Sequence, residues 1–100
     1  MASLHDVDEG VWIRGSWTDP ATGELADPSA VRVRYKAPSA ATFTEKVYGV
    51  GPEVVKEGIG RYALLLVASE PGLWPYRWEG DNVAPAILES SFVVRRTVLT

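Results

Sequence analysis

The sequence of 100 residues lacks cysteine and holds a single histidine. Without cysteine the chain can form no disulfide bond and offers no thiolate to a metal or a substrate, which fits a reducing compartment. His5 has no second histidine or cysteine with which to share a metal, and its place near the N-terminus is unsuited to holding a catalytic base in register. We therefore predict an exposed His5 and no catalytic, cofactor-binding or metal-binding residues.

Long apolar segments and an excess of positive charge are missing too. The longest apolar run, residues 62–68, is too short to cross a bilayer, and the first residues lack the basic start and apolar run of a signal peptide. A formal net charge of −3 disfavours nucleic acid or an anionic membrane as the main partner. We expect neither nucleic acid nor a membrane among the partners.

Helical periodicity is absent as well, whereas period-two alternation is frequent. The nearest helical candidate, residues 53–57, lies between Pro52 and Gly58, which confine it to about one turn. Residues 30–37 alternate between an apolar and a basic face: Val31, Val33 and Tyr35, then Arg32, Arg34 and Lys36. The same period places three aromatic residues on one face: Trp74, Tyr76 and Trp78. This pattern predicts strands that each bury one side.

Residues 58–80 contain two apolar runs joined by the turn residues 69–72, and we interpret them as a β-hairpin at the centre of the fold. The first run is apolar at almost every position, which is typical of a central strand. Pro75, inside the second run, has no N–H to donate, so its strand should be a sheet edge or carry a bulge there. Gly60 and Tyr62 resemble a tyrosine corner, in which the phenol bonds to upstream backbone.

About seven short strands, spaced roughly eight to twelve residues apart, predict an all-β fold: an immunoglobulin-like antiparallel β-sandwich without a disulfide. A chain of this length suffices for one core, and we assign the sandwich to residues 11–95. Residues 1–10 are acidic and are expected to form an N-terminal arm with room for a short edge strand. Residues 96–100 are expected to form a C-terminal tail.

Five motifs follow one another along the chain: residues 11–20 (VWIRGSWTDP) with Gly23, 35–39 (YKAPS), 60–62 (GRY), 71–80 (PGLWPYRWEG) and 91–94 (SFVV). In this order they resemble the small immunoglobulin-like domains of tailed-phage virion proteins, which include a domain of baseplate upper proteins and short proteins encoded near phage structural genes. The resemblance covers nearly the whole chain. Most of its motifs are turns and core positions, which macroglobulin-like and bacterial surface immunoglobulin-like domains share.

The resemblance implies a non-enzymatic structural or interaction protein, a phage virion component of the capsid, neck, tail or baseplate. Its implied location is the virion, assembled in the host cytoplasm. Its implied partners are other virion proteins and copies of this chain. The alternative is a carbohydrate-binding or adhesion module, in which exposed aromatic side chains stack on a glycan.

Four side chains are candidates for contact with a partner. Trp12 is out of phase with Val11 and Ile13, so either it covers the outer face of its strand or the phase of the strand inverts, and it is the best aromatic candidate. The other three form a positive stripe suited to docking on an acidic protein surface: Arg32, Arg34 and Lys36. The alternative for this stripe is an ordinary solvated face.

Overall fold

The structure is a computed structural model that describes residues 3–95. Within this range the chain forms eight strands and no helix. The strands are β1 (Ser3–Asp6), β2 (Gly10–Ser16), β3 (Val31–Tyr35), β4 (Thr44–Val47), β5 (Val54–Gly58), β6 (Arg61–Val67), β7 (Gly72–Gly80) and β8 (Ile87–Arg95). The predicted all-β fold is confirmed.

The strands form two sheets, a five-stranded sheet in the order β1-β8-β7-β3-β4 and a three-stranded sheet in the order β2-β6-β5. Their inner faces enclose one hydrophobic core, as in a β-sandwich. β1 lies within the expected N-terminal arm and pairs with β8 in parallel, while the other strand pairs are antiparallel. The expected C-terminal tail, residues 96–100, lies outside the described residues.

The period-two alternation of the sequence determines which side chains enter the core. Along β2, burial alternates strictly from Gly10 to Ser16, so Val11 and Ile13 point inward and Trp12 points outward. The predicted inward residues of the other strands are buried as well: Val31, Val33, Trp74, Trp78, Phe92 and Val94. Tyr35 and Tyr76 are half-buried and pack against this core.

Two tryptophans join the sheets by packing on glycines of the opposite sheet. Trp17, just after β2, and Trp78, on β7, are fully buried and meet edge to face with ring centroids 5.9 Å apart. A Cβ on Gly15 would lie 2.9 Å from Trp78, and a Cβ on Gly80 would lie 2.8 Å from Trp17. Only glycine backbone therefore leaves room for each indole ring.

The predicted hairpin of residues 58–80 is wrong. β6 pairs with β2 and β5, whereas β7 pairs with β3 and β8, so the turn residues 69–72 carry the chain from one sheet to the other. Both runs bury an apolar face, and such runs can line opposite sides of a core as well as neighbouring positions of one sheet. The prediction of a central strand for the first run is confirmed, because β6 lies between β2 and β5.

The expectation of a sheet edge or a bulge at Pro75 is wrong for the strand as a whole, because β7 is an interior strand and its register on β8 shows no bulge. β7 is flanked by β8 and β3, but its pairing with β3 ends at Tyr35 opposite Tyr76. The Lys36 N–H still donates to the Pro75 carbonyl over 3.2 Å. Since N–H and C=O of one strand residue point to the same side, the missing donor of Pro75 falls where the β3 ladder ends and removes no bond from the β8 ladder.

In place of a tyrosine corner, the single carboxylate of Asp27 contacts Tyr62, Gly60 and Lys56. The Tyr62 hydroxyl lies 3.3 Å from Asp27 Oδ1, which also accepts the Gly60 N–H at 2.8 Å. Lys56 Nζ donates to Asp27 Oδ2 at 2.7 Å. Gly60 has φ of +70°, and a Cβ there would lie 2.6 Å from the Trp17 carbonyl oxygen, so this tight approach requires glycine. The phenol bonds to an upstream side chain instead of to backbone.

Replacing Trp74 should unfold the domain more readily than replacing Trp12. Trp74 is buried, stacks on Phe92 at 5.7 Å and donates its indole N–H to the Glu70 carbonyl. Trp74→Ala should therefore cost roughly 3–5 kcal/mol of unfolding free energy in urea titrations. Trp12→Ala, at a half-exposed surface position, is the matched control and should cost about 1 kcal/mol or less. Equal losses for the two variants would contradict this assignment of faces.

Asp27 should make stability depend on acid pH. The hydrogen bond from the Gly60 N–H, and then the contact with Lys56, lower the pKa of the Asp27 carboxyl. A carboxyl with a lower pKa in the folded state stabilises the fold above its unfolded pKa of about 3.9, and this contribution disappears as the pH falls through the folded pKa. Asp27→Asn should thus lower Tm at pH 7 and make little difference below the folded pKa. A Tm difference that is independent of pH would contradict this.

Candidate functional site

The outer face of the three-stranded sheet carries an apolar patch, which we call the Trp12 face: Trp12, Val55, Leu65 and Val67. Trp12 on β2 lies opposite Leu65 on β6, and their exposed fractions are 45% and 46%. Val67, next along the outer side of β6, is 62% exposed. Neighbouring apolar side chains that all remain accessible form a surface suited to a macromolecular partner.

An ion pair closes one end of the Trp12 face. Arg14 on β2 and Glu57 on β5 meet at 3.0 Å across the intervening strand, where Ala63 lies opposite Arg14. Ala63 points outward yet has no exposed surface, as expected if this pair and Val55 cover it. The Arg14 guanidinium also lies 5.8 Å from the centre of the Trp12 ring, within the range of a cation–π contact. Arg14 therefore leans over its own sheet.

The predicted positive stripe lies on the outer face of the five-stranded sheet, but carboxylates neutralise most of it. Arg32 Nε donates to Glu79 at 2.7 Å, and Arg34 Nε donates to Glu45 at 2.7 Å. These hydrogen bonds raise the pKa of both arginines. Lys36 lies 6.0 Å from the ring centre of Phe43. Arg32, Arg34 and Lys36 thus lie on one face, as predicted, but that face carries both positive and negative side chains.

Glu79 is the centre of that charge network. Its side chain is only 13% exposed and contacts Arg32 at 2.7 Å, Arg77 at 3.1 Å and Arg34 at 4.0 Å. The hydrogen bond from Arg32 is the main cause that lowers the pKa of Glu79, and the neighbouring arginines act in the same direction. The three guanidinium groups thus share one largely buried carboxylate and are held in place by it.

A shallow groove of about 380 Å³ crosses the same face. It is lined by apolar and charged residues: Arg34, Phe43, Glu45, Pro75, Tyr76, Arg77, Glu89 and Ser90. Both carboxylates of the lining contact arginines, Glu45 with Arg34 and Glu89 with Arg77. Its charged groups are thus already paired with one another, so the groove is a weaker candidate for binding than the Trp12 face.

His5 is half-buried, so the expectation of an exposed histidine is wrong. Its ring meets the Phe92 ring edge to face at 5.7 Å, and Nδ1 lies 2.5 Å from a Glu9 carboxylate oxygen. Asp6 pairs with Arg95 at 2.6 Å, which ties the acidic arm to β8. Among residues 3–95 no three potential ligands gather as a metal site, and no helix has the length and apolarity needed to cross a membrane.

Searches for relatives find no matching protein family and no matching curated protein. No relative therefore identifies the candidate site, which is defined by its geometry alone. Trp12 lies on an outer face, which was one of the two predicted alternatives, whereas the sequence analysis did not identify Leu65, Val67 and Val55. For Leu65 and Val67 the available signal was the run of residues 62–68, which is apolar on both faces of its strand but does not reveal which face meets the core.

Removing the charge of Glu79 should destabilise the fold measurably. Glu79→Gln leaves Arg32, Arg34 and Arg77 without their shared carboxylate and should lower the unfolding free energy by about 1–2 kcal/mol near pH 7. Because the pKa of Glu79 is lowered by folding, the difference from wild type should vanish as the pH falls through that pKa. Glu89→Gln is the control, since Glu89 is 69% exposed and should change stability little. A larger effect for Glu89 would refute the central role of Glu79.

Proposed function

We propose that this protein is a non-enzymatic structural component of a phage particle and acts through protein–protein contacts made by the Trp12 face. The observation that carries the proposal is the apolar outer surface of β2 and β6, where Trp12, Leu65 and Val67 are about half exposed or more. The core on the inner side of both strands is complete without them. These side chains therefore contribute little to the fold and are available to a partner.

The composition of the Trp12 face favours a protein as that partner. Cores of protein interfaces are enriched in aromatic residues and depleted of charge, with charged residues at the rim. Trp12 among aliphatic neighbours, with the Arg14–Glu57 pair at one end, has this arrangement. Contacts of this kind are suited to a component that is held on a larger assembly.

The placement in a phage particle comes from the motif resemblance, and the strand order supports its immunoglobulin-like part. In such domains a sheet of strands B, E and D faces a sheet that contains C, F and G, and variable-type domains add a further strand beside C. The orders β2-β6-β5 and β4-β3-β7-β8 correspond to this scheme. Virion proteins or further copies of this chain are the proposed partners, and the virion, assembled in the host cytoplasm, is the proposed location.

The face with Arg32, Arg34 and Lys36 is a second, weaker contact surface in this proposal. Arg32 and Arg34 already bond to Glu79 and Glu45, so an acidic partner would have to compete with these carboxylates. Lys36, beside Phe43, contacts no carboxylate within 4.0 Å among residues 3–95. Of the three cations it is the best placed to attract an acidic protein.

A glycan-binding or adhesion module is the alternative, because the exposed Trp12 ring is a surface on which a sugar could stack. Specific small-ligand sites combine apolar stacking with a few converging polar groups. The neighbours of Trp12 on β6 are Leu65 and Val67, which offer no hydrogen bonds from their side chains. Binding of the wild-type protein to defined oligosaccharides on an array, lost on Trp12→Ala, would favour this alternative.

Purified particles provide the main test. Mass spectrometry should detect this chain in the virion fraction, and its absence from every fraction would refute the structural role. The double variant Trp12→Ser and Val67→Ser should then be incorporated at least tenfold less, since an interface residue that is central and aromatic can contribute more than about 2 kcal/mol. Val50→Ser, at an exposed valine outside the patch, is the control and should be incorporated normally.

A further inference from the structure

The outer edge of β2 has backbone groups with no partner in the described part of the chain. The Trp17 N–H donates to the Gly60 carbonyl at 2.8 Å, and the Ala68 N–H donates to the Glu9 carbonyl at 3.1 Å. The backbone N–H and C=O groups of successive strand residues point to alternate sides of the strand. In β2 the backbone groups of odd-numbered residues therefore point toward β6, and those of even-numbered residues point toward the free edge. Trp12 and Arg14 thus point their N–H and C=O groups away from the sheet.

The residues on either side of β2 set the limits of the free edge, and the first of them confirms that even-numbered residues face it. Thr18, the next even-numbered residue after β2, exchanges both backbone hydrogen bonds with Ala84 at 2.9 Å. At the other end, Asp8 has φ of +67° and donates its N–H to the Ala68 carbonyl, so the regular alternation of the strand ends there. The open segment is therefore the seven residues of β2, Gly10–Ser16.

Among residues 3–95 the other three sheet edges carry features that discourage pairing with another chain, whereas the edge of β2 does not. β1 and β4 have only four residues each, and β4 carries Glu45 and Lys46. β5 has a bulge between Lys56 and Gly58. Shortness, charge and bulges are the usual means of protecting an edge. β2 is longer and regular, and its one charged side chain, Arg14, lies over its own sheet against Glu57.

We propose that β2 pairs with β2 of a second copy of this chain, antiparallel and about a twofold axis at Ile13. In this register Trp12 of each copy lies opposite Arg14 of the other, and Gly10 lies opposite Ser16. All seven residues of β2 then pair, and the two three-stranded sheets become one six-stranded sheet. This inference rests on the proposed function in one respect, that the domain acts through protein–protein contacts, and it names one such partner.

The side chains and the length of β2 select this register over its two symmetric neighbours. Moving the axis toward Arg14 places the two Arg14 side chains directly opposite each other, and like charges in that position are destabilising. Moving it toward Val11 places Trp12 opposite Trp12 but leaves residues 15 and 16 opposite the turn at Asp8 and Glu9. The proposed register repeats between copies the contact of Trp12 with Arg14 that already exists within one chain at 5.8 Å.

Sedimentation equilibrium of two variants tests the pairing of the edges. Arg14→Pro removes an N–H that faces the free edge and leaves the bonds to β6 intact; Arg14→Ala removes the same side chain and keeps the N–H. The dimer loses two hydrogen bonds with proline, so its Kd should rise roughly tenfold or more above that of the alanine variant. Equal Kd values for two folded variants, or a wild-type monomer at every concentration up to about 1 mM, would overturn the proposal.

The absence of cysteine in the natural sequence permits a second test that does not require proline in a strand. Equal amounts of Trp12→Cys and Arg14→Cys protein are mixed and oxidised. Opposite residues of a hydrogen-bonded pair have Cα atoms about 5.5 Å apart, within disulfide range, whereas the two Trp12 positions are diagonal neighbours at about 7–8 Å. The mixed disulfide should therefore predominate, and Val50→Cys should show only background cross-linking.

Predominance of the Trp12→Cys homodimer, or cross-linking no stronger than that of Val50→Cys, would overturn the proposed dimer. The proposed function would survive either result, because the Trp12 face would remain available to a different protein. Conversely, a dimer in solution whose chain is absent from every particle would leave this inference standing and refute the structural role in the virion.

Discussion

The packing of Trp17 and Trp78 between the two sheets is the contact on which the rest of the fold depends. Each indole ring lies against the backbone of a glycine on the opposite sheet, Trp78 on Gly15 and Trp17 on Gly80. Neither indole N–H has a hydrogen-bond partner among the described residues, so close packing rather than polar contact holds this pair. An added methyl group at either glycine would force the sheets apart, because backbone and large rings yield little.

This contact also determines what the domain presents to its surroundings. Gly15 and Trp17 must face inward, and since strand side chains alternate, Arg14 and Trp12 must face outward. The register of β2 on β6 then brings Leu65 and Val67 beside Trp12. The core packing thus determines where the outward side chains of β2 and β6 lie. The apolar character of the patch comes from Trp12, Leu65 and Val67 themselves, which the core does not need. Changes at the patch should therefore leave the fold intact.

The sequence predicts the strands and their buried faces well, because period two is a local property. It fails where the answer depends on partners distant in the chain. The hairpin was wrong because residues 69–72 can connect two sheets as easily as two neighbouring strands. The charge of the Arg32 and Arg34 stripe was overestimated because Glu79, the partner of both, lies on another strand. Leu65 and Val67 were overlooked because a run apolar on both faces does not reveal which face is covered.

Two surface features that favour association, the Trp12 face and the free edge of β2, belong to the same strand. Exposed apolar surface and an unprotected edge each favour association, and the remaining edges carry charge, a bulge or only four residues. An accidental patch would not be expected to coincide with the longest regular edge among the described strands. Pairing along β2 would place two Trp12 faces side by side on one sheet, and so enlarge the apolar surface offered to a further partner. A weak dimer and a particle contact would then reinforce each other, because a partner that spans both faces gains affinity from two linked contacts.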